Sequence, residues 1–174
     1  MRLARLSLVL AAFVGLSAFN DPAGRYTVDF PEGWTTTPAS AEGFTFAHAP
    51  DNVTNCGVKA APVAGFASLT QDQINTQLFA TSFGAADWAN VLGADINLIT
   101  LEGGEIIDAN GLKVQIATLK LGAGFESIPF ETRARIVVSA TPGVVYIGAC
   151  LAETAKFDEF KDVFETTVRS LRPL

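Results

Sequence analysis

One histidine, His48, serves a chain of 174 residues. A structural zinc site takes four protein ligands, and no cluster of Cys, Asp or Glu at ligand spacing accompanies His48. A Ser-His-Asp triad would need this same histidine, and the chain has no Gly-x-Ser-x-Gly elbow. His48 is therefore expected to pack or to face solvent. Basic residues are also few: 12 Lys and Arg stand against 18 Asp and Glu, a formal net charge of −6. Nucleic acid or an anionic membrane surface calls for a concentrated basic footprint, so neither is an expected partner. Gly122-Ala123-Gly124 lacks the third glycine and the following helix of a dinucleotide fingerprint. Asp51-Asn52-Val53-Thr54-Asn55 lacks the spacing and closing glutamate of a calcium loop and reads as a plain turn. No cofactor and no metal are expected.

What the chain does have is apolar material. Hydrophobic residues make up 49% and charged residues 17%, which suits one domain with a sizeable core. No repeat, low-complexity tract or long linker divides it.

The first residues read as a leader rather than as part of the fold. Arg2 and Arg5 precede an apolar run over residues 6–16, and Leu16-Ser17-Ala18 offers small residues for a signal peptidase. Cleavage is placed after Ala18, leaving residues 19–174 as the domain. The apolar run is short for a membrane span, so no span is expected after cleavage. Leu16-Ser17-Ala18 also matches the front of a bacterial lipobox, but Phe19 stands where the lipid-bearing cysteine belongs. Removal of residues 1–18 takes away two arginines and no carboxylate, so the exported product is still more acidic. A periplasmic or secreted location gives meaning to the only two cysteines, Cys56 and Cys150. An oxidising compartment allows them to join. In the chain-entropy picture the long loop so closed contributes about 4 kcal/mol.

The last stretch carries the clearest periodic signal. Over residues 154–171, Phe157, Phe160, Phe164, Val168 and Leu171 recur at steps of three and four, one face of a helix. Asp158 and Glu159 suit its start, Arg169 and Arg172 its end, and Pro173 stops it. Upstream, residues 26–30, 44–48 and 56–61 read as strands. Ser68-x-x-Gln71 and Thr70-x-x-Gln73 are two possible capping boxes before a helix carrying Ile74 and Leu78. Gly84 breaks or ends that helix, and Trp88, Val91 and Leu92 suggest another short one. A second run of strands follows, with Gly103-Gly104 as a turn or bulge and Asn110-Gly111 as a hairpin signal. The apolar run at residues 144–151 reads as a central strand covered on both faces. The order of strands, helices, strands and helix is α+β with a mainly antiparallel sheet.

Tyr26-Thr27-Val28-Asp29-Phe30-Pro31-Glu32-Gly33-Trp34 resembles the opening strand and turn of the PsbP-like superfamily. That group includes the photosystem II extrinsic subunit, the Mog-type Ran-binding protein and many bacterial exported proteins. The ending, residues 160–173, is similar to the terminal helix of the same group. The resemblance implies an antiparallel sheet flanked by helices, an α/β/α sandwich. It also implies a non-enzymatic binding or assembly protein, and it assigns no site residue.

Charges supply the candidate site. Alternation puts Arg133 and Arg135 on one face of their strand, and Lys113 lies on the strand before. With suitable register these three form a basic patch for an acidic partner or a carboxylate ligand. The alternative is pairing within the chain, with Glu131, Glu126 or other neighbours. Glu102, Glu105 and Asp108 bracket a hairpin. A glycosidase needs two carboxylates across a cleft, and these three read instead as a solvated rim. The expected function is an exported, non-catalytic binding or assembly-factor domain. The alternative is a carrier of a small apolar ligand, with a pocket between sheet and helices lined by Phe44, Phe46, Trp88 and Phe125.

Overall fold

The computed structural model describes residues 15–40, 43–93, 97–123 and 128–174. Within them, every strand pairing is antiparallel, in two sheets. The smaller sheet places β2 (Tyr26–Pro31) between β1 (Leu16–Asn20) and β10 (Arg172–Pro173). The larger runs β3 (Thr35–Thr37), β4 (Thr45–His48), β5 (Asn55–Pro62), β9 (Val144–Glu153), β8 (Thr132–Thr141), β7 (Leu112–Leu121), β6 (Leu98–Ala109). Three α-helices accompany them: α1 (Gln71–Gln77), α2 (Ala85–Leu92) and α3 (Phe157–Ser170). The fold is α+β, as the order of elements predicts.

The apolar run at residues 144–151 becomes β9, the middle strand of the larger sheet. Its alternate side chains feed two cores. Tyr146 and Cys150 join the first, Ile147 and Leu151 the second. The first core lies between one face of the larger sheet, the smaller sheet and α3. The second lies under α1 and α2.

The stripe of α3 supplies much of the first core. Phe157, Phe164 and Val168 are buried, and Leu171 continues the same contact after the helix ends. Burying a phenylalanine contributes roughly 1.5–3 kcal/mol. Phe160 is only half-buried, wedged between Trp34 and Phe164. Beyond the helix, Arg172 and Pro173 pair with Thr27 and Tyr26. The proline thus ends the helix and the chain runs on as an edge strand.

On the second face, polar side chains fasten short helices. Of the two possible capping boxes, the one at Thr70 forms: its hydroxyl accepts from the Gln73 amide, and Gln73 accepts from the Thr70 amide. Gln71 donates to the Ala140 carbonyl, and Asn75 donates to Gly111 and accepts from the Lys113 amide. Gly84 starts α2, its N–H donating to the Asp87 carboxylate. Asn110 and Gly111 both take positive φ, 58° and 84°, as the two-residue turn between β6 and β7 requires.

Cys56 and Cys150 are disulfide-bonded, 94 positions apart in sequence. They face each other directly across the β5–β9 ladder and are buried. Three strands depart from the sequence reading. β1 takes up Leu16-Ser17-Ala18, which were read as leader, and β3 and β10 lie outside the stretches read as strands. All three are short edge strands, placed by their neighbours rather than by alternation of their own.

Candidate functional site

A row of paired residues crosses the larger sheet beneath α3. Ladder partners run from Gly103 to Thr118, to Arg135, to Cys150 and to Cys56. At the outer end, β6 shifts register between Leu101 and Gly103, a bulge that Gly103 accommodates with φ of 154°. Bulges bend an edge and re-aim its side chains. Here Glu102 and Glu105 meet the arginines of β8.

Arg135 is held from three sides. Its guanidinium donates to Glu165 at 2.6 Å, to Glu105 at 2.8 Å and to the Thr118 hydroxyl at 3.3 Å. Arg169, one helical turn beyond Glu165, donates to both of the same carboxylates. Arg133 donates to Glu102 at 2.9 Å and to Asp158 at 3.1 Å, and its guanidinium lies 4.4 Å from the centre of the Phe157 ring. Isolated exposed ion pairs contribute little. These share partners and sit against the apolar face of α3, so they act as a unit that fastens α3 to β6 and β8.

The charges are fixed. Burial by itself raises the Glu165 pKa, but hydrogen bonds from Arg135 and Arg169 outweigh it and hold the carboxyl below its usual range. The Glu165 carboxylate in turn holds Arg169 more firmly protonated. Beside the network runs an open groove of about 440 Å³, lined by Glu102 to Glu105, Thr118, Arg135, Phe157, Lys161 and Glu165.

The residues picked from sequence fall in different places. Arg133 and Arg135 share this margin. Lys113 does not: Val114 pairs with Ser139 and Lys120 with Arg133, so Lys113 lies on the opposite face, its ammonium 3.8 Å from Asp108. The expected three-residue patch is therefore split by strand parity. Lys120 takes the place beside Arg133 and pairs with Glu131 at 2.7 Å. Glu102 and Glu105, read as a solvated rim, are ligands of the arginines. The missed members are Asp158, Glu165 and Arg169. The four-residue step from Glu165 to Arg169 was a readable helical pairing signal.

The aromatic candidates are also set apart. Trp88 is buried in the second core against Phe83, where α2 approaches β6. Phe44 and Phe46 stack 5.5 Å apart at β4, near the other edge of the sheet, with Lys59 over Phe44 and His48 beside Phe46. Phe125 lies outside the described residues. His48 also lines a smaller groove with Asn52, Val53, Asn55 and residues 128–130. Among the described residues no helix is long and apolar enough to cross a membrane.

No family model matches the chain, and no curated protein is similar to it in sequence. Solved structures are similar in fold. The solution structure of cyanobacterial PsbP (CyanoP) from Synechocystis sp. PCC 6803 aligns with a TM-score of 0.61 at 15% identity, covering 98% of this chain and 99% of that one. LpqN of Mycobacterium tuberculosis, described as involved in cell envelope biogenesis, aligns with a TM-score of 0.52 at 8% identity over 92% and 91%. A crystal structure from Bacteroides thetaiotaomicron aligns with a TM-score of 0.53 at 10% identity, over 90% of this chain and 48% of that one. At these identities the likeness concerns architecture, and the architecture of this chain is PsbP-like.

Proposed function

We propose that the protein is an exported, non-catalytic binding or assembly-factor domain, a single PsbP-like unit left after removal of residues 1–18. Its partner surface is the charged margin where α3 meets β6. The observation that carries this reading is the fixed-charge network beside the groove. Arginines keep their protons, and Glu165 is held ionised by two of them. Such a margin offers oriented charges for recognition rather than a group that gives and takes a proton. The buried disulfide suits an oxidising compartment. The similarity in fold to PsbP and to LpqN, a protein involved in cell envelope biogenesis, agrees with an accessory role outside the cytoplasm.

Capture from an envelope extract tests the surface. Lys161 lines the groove on the exposed side of α3, so Lys161→Glu reverses a charge there with little effect on folding. The exposed Gln77 at the end of α1 supplies a control in Gln77→Ala. Wild type and the control are expected to retain the same partner, and Lys161→Glu to lose about tenfold in affinity, with the wild-type interaction weakened by salt. Equal capture by all three proteins overturns the assignment of the surface.

A further inference from the structure

We infer that the partner binds as a strand: an extended segment, with one basic and one acidic side chain facing α3, adds to the open edge of β6. This rests on the reading of the α3–β6 margin as the partner surface. β6 is the last strand of the larger sheet and pairs with β7 alone. Past its bulge the register is regular from Gly103 to Ala109. Ala109 and Leu112 close the two-residue turn. Alternation in an antiparallel ladder then gives Ala109, Ile107 and Glu105 the hydrogen bonds to β7. The N–H and C=O groups of Gly104, Ile106 and Asp108 point the other way, off the sheet. Among the described residues no turn or loop backbone group pairs with them.

The charge along this edge selects what can lie there. β6 carries Glu102, Glu105 and Asp108 and no Lys or Arg. A second copy of the strand would bring carboxylates to the seam from both sides with no basic residue on either, so the edge guards against self-pairing. A strand with a basic side chain meets a prepared surface instead. Glu105 accepts Arg135 and Arg169 through one oxygen, Oε1, and Glu102 accepts Arg133 through Oε2. Among the described residues the second oxygen of each carboxylate has no ion pair. A carboxylate can accept about four hydrogen bonds, so the arginines hold both groups in place and leave acceptor capacity outward. Between them, a Cβ at Gly103 would meet nothing within 4 Å, which leaves room for a side chain of an added strand. Lys161 lines the same groove and has no ion pair among the described residues. Alternate side chains of a strand laid beside β6 face α3. There a Lys or Arg reaches the outer oxygen of Glu105, and a Glu or Asp reaches Lys161. Backbone pairing supplies affinity, and these two contacts supply the choice of sequence.

The experiment uses the disulfide-bonded protein and a labelled synthetic peptide, acetyl-Thr-Lys-Val-Glu-Val-Thr-amide, whose Lys and Glu share one side when extended. Two further peptides are N-methylated on alternate residues, so one loses the N–H groups facing β6 and the other those facing solvent. Fluorescence anisotropy reads binding. The parent peptide is expected to bind saturably. One methylated peptide is expected to match it, and the other to bind about tenfold more weakly. Ile106→Pro removes an outward N–H and no bond to β7, a place where an edge strand tolerates proline. It is expected to weaken the parent peptide about tenfold while melting near wild type. Should that variant fail to fold, the methylated pair on the wild type decides alone. No saturable binding, equal binding of the two methylated peptides, or wild-type affinity in folded Ile106→Pro overturns the inference. Capture from envelope extract separates this from the reading beneath it. A partner kept by Ile106→Pro and lost by Lys161→Glu overturns strand addition and leaves the surface standing. A partner kept by both overturns the surface and the inference together.

Discussion

The two faces of the seven-stranded sheet are held by different means. On one, a single long helix lays an aromatic stripe into the core and is tied at its margin by arginine–carboxylate pairs. On the other, two short helices bury Ile74 and Trp88 and are fastened by amide side chains that hydrogen-bond to backbone. Helices of seven and eight residues are too short to be stable by themselves, so their attachment must come from specific tertiary bonds. A 14-residue helix with buried phenylalanines can rely on area. The contrast predicts apolar truncation as the sharpest probe of the first face and loss of one amide as the sharpest probe of the second.

The largest effect is expected from Phe164→Ala. The side chain is fully buried, and its removal should cost about 3–5 kcal/mol. Phe160→Ala should cost clearly less, because that ring is half-exposed. Denaturant midpoints check both, and equal losses would mean that the two rings are equally part of the core.

The second face is tested with Gln115→Leu. Gln115 is 1% exposed. Its carbonyl accepts from the Phe83 amide and its amide donates to the Thr81 carbonyl, fixing the link between α1 and α2. Leucine has a similar volume and is more apolar, yet it leaves two backbone groups unpaired. A loss of about 2 kcal/mol is expected. A gain in stability would show that apolar area governs this face too, and the contrast between the faces would fail.

The smallest effect concerns charge. The folded-state pKa of Glu165 is depressed, so its pairs contribute stability above the usual carboxylate range, near pH 4.3, and lose it as pH falls through the lower folded value. At neutral pH, Glu165→Gln should melt a little below wild type, and the gap should close on acidification below the usual carboxylate range. A gap that stays constant over that range would mean that the variant acts through packing alone.

The legible parts of this fold were the parts with a local physical period. The α3 stripe, the alternation of β7 and β8, the Asn110-Gly111 turn and the central apolar β9 all show themselves within one segment. Register does not. Alternation says that Arg133 and Arg135 share a side and that Lys113 shares one with Gln115, but not how the two strands are set against each other. One step of register decides whether Lys113 joins the arginines, and the β7–β8 pairing places it on the other face. The acidic half of the network was obscure for the same reason. Glu102 and Glu105 reach β8 because of a bulge, and Glu165 because of how α3 lies across the sheet. β1, β3 and β10 carry too few residues for any period to show.

The cross-strand disulfide sits at the one ladder step where β5 and β9 carry cysteines face to face. A slip of either strand by one residue turns its cysteine to the opposite side of the sheet, out of bonding reach. The covalent bond is therefore a proofreader of pairing. Within the folded sheet it closes only when β5 sits in the correct register on β9, and once formed it forbids that strand to slide. Among folded chains given time with an oxidant, the remaining thiols become a molecular tally of those in which β5 and β9 have not met in register.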